Sequence, residues 1–252
     1  MKIKTFFLSE GGNWGDNFAP FLFSKLYGIE LVQADAENSD LVATGSLIRG
    51  LPQGTYTGHV LGTGLMDWLL PEPFDLSNAN VHMLRGKLTR EHCKLPTKEE
   101  PPLGDLGILA YKFAPPLQPE FKLGILPHYV EKNHRQVMYW QKKGAHVIDI
   151  QSGMQNVIDE VCRCEKLVTS SLHGLVLADS LGIPNHLVVL HDSWIWGRCG
   201  FKFQDYYSVY DEVSDNPRSI DEAVELCRVR DTSQVKATVQ QVLDNFVRSL
   251  TC

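Results

Sequence analysis

The stretch Glu165-Lys166-Leu167-Val168-Thr169-Ser170-Ser171-Leu172-His173-Gly174-Leu175-Val176-Leu177-Ala178-Asp179-Ser180-Leu181-Gly182-Ile183-Pro184 constrains the fold more than any other part of the chain. A short apolar run, Lys166 to Thr169, reads as a buried strand. A polar turn follows, then a helix over Leu172–Leu181 closed by Gly182 and stopped by Pro184. Such a strand–turn–helix unit places the first N–H groups of the helix, the hydroxyls of Ser170 and Ser171 and the imidazole of His173 on one side of a sheet. Orphan donors and the positive helix end favour an anion there. A plainer reading is equally open, in which Ser170 or Ser171 is only the helix cap and His173 a satisfied surface residue.

The same alternation runs through the chain. Residues 1–10 begin with a first strand. Apolar runs at 29–32, 40–44 and 59–61 each end in a turn, the last two rich in Gly, Ser and Thr (Gly45-Ser46, Gly62-Thr63-Gly64). Parallel strands that end this way open their carboxyl ends onto one crevice, the usual ligand position in open α/β sheets. Pro115-Pro116-Leu117-Gln118-Pro119 belongs to a connection without periodicity, over residues 112–119, and the alternation restarts after it: strand 122–126, helix 135–143, strand 146–150, helix 154–163, the opening stretch, and strand 187–190. The expected architecture is α/β, two Rossmann-like parallel-sheet lobes with a cleft between them. An N-terminal lobe covers residues 1–115 and a C-terminal lobe with C-terminal helices covers 120–252. Val235, Val239, Val242, Leu243, Phe246, Val247 and Leu250 form one apolar helix face suited to core packing, and Ser219 with Glu222 makes a capping box.

At 252 residues and 43% hydrophobic, the chain can bury a sizeable core. Its formal net charge of −6 argues against a nucleic-acid partner and leaves a small molecule as the expected one. Six cysteines without paired Cys-x-x-Cys spacing suggest neither a disulfide framework nor a zinc cluster. No stretch approaches the roughly 18 apolar residues of a membrane span, and the N-terminal apolar run is too short for a signal peptide. The expected location is therefore cytoplasmic.

Two further segments invite a ligand. Gly11-Gly12-Asn13-Trp14-Gly15-Asp16-Asn17 joins the first strand to an amphipathic segment ending near Gly28, but it has neither the dinucleotide nor the P-loop glycine spacing. Arg85 ends a strand, and Lys87 and Arg90 lie in the first turn of the next helix, where basic residues oppose the macrodipole unless an anion sits there. No histidine or carboxylate pair has metal-ligand spacing, so neither metal nor cofactor is expected.

Taken in order over roughly residues 11–190, five motifs resemble the polysaccharide pyruvyl transferase family. They are Asn13-Trp14-Gly15-Asp16-Asn17, Arg85-Gly86-Lys87-Leu88-Thr89-Arg90, Leu103-Gly104-Asp105, Ile125-Leu126-Pro127-His128-Tyr129, and Ser170-Ser171-Leu172-His173-Gly174 with Ala178-Asp179-Ser180-Leu181-Gly182-Ile183-Pro184. The resemblance implies a fold like the two-lobed glycosyltransferase type B and phosphoenolpyruvate as donor. It further implies a pyruvate ketal formed on two hydroxyls of a sugar, in a surface polysaccharide or its lipid-linked oligosaccharide precursor, with peripheral membrane contact through the acceptor. Many relatives carry arginine where this chain has Ser171.

The residues suit that chemistry. Arg85, Arg90, Asn17 and the turn at Ser170, Ser171 and Gly174 are the candidate donor-binding groups. His173 or His128 suits the general acid and Asp16 or Asp105 the general base. Trp194, Trp196, Tyr206 and Tyr207 offer either an acceptor platform or core. Two competing readings use the same residues: a nucleotide-sugar glycosyltransferase, and a non-catalytic carbohydrate-binding member.

Overall fold

The computed structural model of the chain describes residues 1–8, 14–67, 72–191 and 200–250. It is an α/β protein with parallel sheets, as a Rossmann-like reading requires. Strands β1 (Lys2–Phe6), β2 (Glu30–Gln33), β3 (Leu41–Ala43), β4 (His59–Leu61) and β6 (Asn80–Met83) form one sheet in the order β2-β1-β3-β4-β6, every pair parallel. Strands β8 (Gly124–Leu126), β9 (His146–Val147), β10 (Leu167–Thr169) and β11 (Asn185–Leu187) form a second parallel sheet in the order β11-β10-β8-β9. A small parallel pair, β5 (Phe74–Asp75) with β7 (Cys93–Lys94), stands apart.

The helices follow from their apolar spacing and their stops. In α1 (Trp14–Tyr27), Trp14, Phe18, Ala19, Leu22 and Phe23 are buried along one face. The helix ends where Gly28 turns left-handed (φ 64°), with Gly28 N–H donating to Ser24 O and Ile29 N–H to Phe23 O. Helix α5 (Leu172–Leu181) has the bounds its sequence predicts, and Gly182 (φ 69°) closes it in the same way, with Ile183 N–H reaching Ala178 O. Nine of its residues are buried, so it is enclosed on all sides rather than along one apolar stripe. It packs on the 3-10 helix Leu106–Phe113, where Ser180 Oγ donates to Ile108 O (2.7 Å) and accepts from Tyr111 N–H (2.8 Å).

One apolar cluster takes side chains from both sheets: Ile3, Leu41, Leu61 and Met83 from the first, Leu126, Leu167 and Leu187 from the second, with α1, α5 and the 3-10 helix joined to them. Helices α2 (Lys87–Glu91), α3 (Arg135–Lys142), α4 (Met154–Cys162), α6 (Gly200–Ser208) and α7 (Ile220–Leu226) complete the chain with the last helix, α8 (Ser233–Ser249). The α8 stripe enters this core, and Phe246 meets His59 and His82 of the first sheet edge-on. The final helix of the second half thus returns to pack on the first. The Ser219 cap is present, its hydroxyl accepting from Glu222 N–H at 3.1 Å.

Two strand boundaries differ from the sequence reading by three residues, the others by no more than two. The strand expected at 187–190 lies at Asn185–Leu187, because the Pro184 carbonyl already accepts the ladder bond from Leu167 N–H and fixes the register directly after the proline. The strand expected at 146–150 keeps only its first two residues, and the chain then turns at Asp149, whose carboxylate accepts from Gln151 N–H. Cys93, Cys162, Cys164 and Cys227 are free thiols. Among the described residues no helix is long and apolar enough to cross a membrane.

Candidate active site

Because every strand is parallel within its sheet, the turns after β3, β4 and β6 share one edge of the first sheet, and those after β8 and β10 share one edge of the second. The turn after β3 is strained. Thr44 is left-handed (φ 58°), a costly conformation for a β-branched residue, and Gly45 follows at φ 66°. This turn presents the Gly45 carbonyl to Gly64 N–H and to the Arg85 guanidinium.

Arg85 is fully buried. Its Nε donates to Asp205 Oδ2 (2.9 Å), Nη1 to Gly45 O (3.2 Å) and Ser46 Oγ (2.5 Å), and Nη2 to Leu65 O (2.6 Å). With these four bonds made, at most one of the five guanidinium N–H groups remains for a ligand. Asp205 also accepts from Thr89 N–H (2.7 Å) and the Thr89 hydroxyl (2.7 Å), and Ser208 Oγ accepts from Lys87 N–H (2.9 Å). The helix start thus already holds an internal carboxylate carried by α6, while its basic residues pair elsewhere, Lys87 with Asp211 and Arg90 with Glu100.

His173 opens α5 and lies against the start of α1: a Cβ built on Gly15 would overlap its imidazole ring. The ring is 9% exposed and its Nε2 has no hydrogen-bond partner. Burial, then the charges of Lys202 and Arg85 and the neighbouring His128, pull its pKa down to about 3. His128, also 9% exposed, has an unpartnered Nδ1 and falls to about 4 through burial and Lys202. Neither imidazole therefore sits near the ordinary histidine value. Ser170 ties the two strand ends together, its hydroxyl accepting from His128 N–H at 2.9 Å. Gly174 is required for close packing, since a Cβ there would overlap Thr169 Oγ1, which itself donates to Leu126 O and accepts from Ser171 N–H. Ser171 is buried and makes no side-chain cap bond.

On the first-sheet side, Asp105 is 2% exposed. One carboxylate oxygen accepts from Gly107 N–H (2.8 Å) and the other is unpartnered. Burial pushes its pKa up to about 6; Gly107 N–H and Arg85 oppose that, while Asp16 and Asp205 add to it. Asp16 and Asn17 occupy the first turn of α1, and a Cβ on Gly45 would lie 3.0 Å from Asp16 Oδ1.

The structure thus gathers His173, His128, Ser170, Ser171 and Gly174 at one place; the charge of Arg85 acts on both His173 and Asp105, and that of Asp16 on Asp105. It does not bring Arg90 into this group: that side chain pairs with Glu100 at 2.6 Å. Tyr206 and Tyr207 are 2% exposed. Tyr206 donates to Asp179 Oδ2, and Arg230 lies over the Tyr207 ring, so these two tyrosines are core and not a platform. Trp194, Trp196 and Asn13 lie outside the described residues.

Three residues escaped the sequence reading. Glu131 is 1% exposed, with neither carboxylate oxygen in a hydrogen bond of normal geometry. Burial raises its pKa, and the nearby Ser170 hydroxyl, His191 and Lys202 hold it back. Lys202 is buried in α6, and Asp205 closes on Arg85. The one available signal was a lysine set between two phenylalanines, Phe201-Lys202-Phe203.

Fold and site together define a parallel α/β protein whose strand ends collect buried cations, neutral imidazoles and a raised carboxyl group, an arrangement suited to an anionic substrate and proton transfer. The sequence model of the family "Polysaccharide pyruvyl transferase" matches residues 68–193, half of the chain, and the chain belongs to that family. It is also 32% identical over 211 residues to the uncharacterized protein L143 of Acanthamoeba polyphaga mimivirus, covering 79% of this chain and 71% of that protein.

Proposed function

We propose that the protein transfers pyruvate from phosphoenolpyruvate onto two hydroxyls of a sugar, forming a ketal and releasing phosphate. The observation that carries this reading is the set of buried, unpartnered polar atoms, His173 Nε2, His128 Nδ1 and Asp105 Oδ2, beside buried cations in a chain of this family. Buried polar atoms are paired in all but a few cases, so such a set marks a place for a polar ligand.

In the proposed reaction one hydroxyl proton ends on the donor's methylene carbon, which becomes the ketal methyl group. The second leaves with the phosphate. Two C–O bonds form to the central carbon while its bond to the phosphate oxygen breaks. His173 delivers the proton to carbon. Its pKa is low without ligand, and a bound dianion stabilises the imidazolium and lifts it towards the working range. Asp105, with Asp16 near it, accepts the hydroxyl proton, a role that a carboxyl raised to about 6 suits. Ser170, Ser171, Gly174 and Asn17 line the donor's place, and Arg85 contributes mainly field and scaffold. The acceptor is a sugar of a surface polysaccharide or its lipid-linked precursor, met in the cytoplasm at the inner membrane face. Closure of two lobes, 1–115 and 120–252, in the manner of type B glycosyltransferases would exclude water. Titration calorimetry with phosphoenolpyruvate and with a panel of nucleotide sugars tests the donor: binding of phosphoenolpyruvate supports the proposal, and binding of a nucleotide sugar alone refutes it.

A further inference from the structure

Lys202 is 8% exposed, with its ammonium 5.1 Å from the ring centroid of Phe203. Asp205 follows three residues later, on the same face of α6, and is locked to Arg85 and to the start of α2. A Cβ on Gly86 would overlap the Asp205 carbonyl, so α6 sits directly on the turn between β6 and α2. Asp205 thus fastens α6 to the first sheet, while the charge of Lys202 bears on three residues after the second sheet's strands: His128, Glu131 and His173.

Nδ1 of His128 and Nε2 of His173 are buried without hydrogen-bond partners, and the buried Glu131 carboxylate has the Ser170 hydroxyl nearby, in no bond of normal geometry. A compact group rich in oxygen fits among them, accepting from an ammonium, from an N–H of His128 and from the one O–H of a protonated Glu131, with the His173 imidazole alongside for the proton transfer. We propose that Lys202 is the ligand of the donor's phosphate group and that Asp205 and Arg85 are its positioning residues. This rests on the donor reading above and adds the residue that holds one end of the donor. Arg85, with at most one N–H to spare, cannot offer a fork. Lysine binds phosphate as a compact point charge. The same charge offsets the negative charge that grows on the phosphate as it departs.

The test is calorimetric titration of inorganic phosphate and, separately, of phosphoenolpyruvate into wild type, Lys202→Met and Lys202→Arg, with melting temperatures measured alongside. Lys202→Met should weaken both ligands by roughly 10- to 100-fold, the scale of a hydrogen bond to a charged group, and Lys202→Arg should recover much of the loss. Lys202→Met that binds phosphate as wild type does, at an unchanged melting temperature, overturns the proposal. Wild type that binds phosphate but not phosphoenolpyruvate leaves Lys202 in place and overturns the donor reading instead. Wild type that binds neither overturns both. Should Lys202→Met not fold, wild type labelled at lysine Nζ decides the matter: phosphate should shift the Lys202 resonance, and an unmoved resonance contradicts the assignment.

Discussion

The imidazole of His173 occupies the space that a side chain on Gly15 would need. Residues 158 positions apart in sequence, one opening α1 and the other opening α5, therefore meet where the two halves of the chain join. Gly15→Ala should displace the ring and cost about 1–3 kcal/mol of stability, the usual scale of overpacking. Turnover should fall further than that loss accounts for. Urea unfolding and turnover of this variant check the contact, and wild-type values for both would mean the ring has room to move.

Arg85 and Asp205 form a pair in which both side chains are fully buried. Removing one partner strands the other. Arg85→Met or Asp205→Leu alone should therefore destabilise by about 3–5 kcal/mol, and the double variant by less than the sum of the two. Chemical denaturation of the three variants measures this coupling. Additive losses would show that the pair does not act as a unit.

This pair also shows where reading the sequence stops. The strand β10, the bounds of α5 and its glycine stop were legible because apolar periodicity and local turn chemistry set them. The cluster of His128, Ser170 and His173 was legible because each lies at or just after a strand end. That Arg85 is satisfied internally was not, since its partner lies 120 residues away and no local pattern links them. Lys202 and Glu131 read as ordinary surface charges until the fold buries them.

The pH dependence of stability has opposing parts. His173 and His128 have folded pKa values of about 3 and about 4, below the ordinary 6.5. The unfolded chain thus binds more protons between those values, and their contribution is complete above about 6.5 and is lost as pH falls. Asp105 runs the other way. Its folded value of about 6 lies above the ordinary 3.8, so the native state gains from its protonation below about 6 and loses that gain as pH rises. His173→Asn should flatten the decline of the melting temperature from pH 6.5 to 4. Asp105→Asn should steepen it by removing the opposing gain. Melting curves across that range decide, and identical pH profiles for all three proteins would contradict the burial argument.

Phosphate release followed by 31P NMR, with phosphoenolpyruvate and a sugar acceptor present, most directly tests pyruvyl transfer at His173. Wild type should convert the donor signal to inorganic phosphate only when the acceptor is added. His173→Asn, folded and melting near wild type, should do so roughly 10²- to 10⁴-fold more slowly, the range for a lost acid or base. Acceptor-dependent release by His173→Asn at a rate within a few-fold of wild type would remove this histidine from the chemistry.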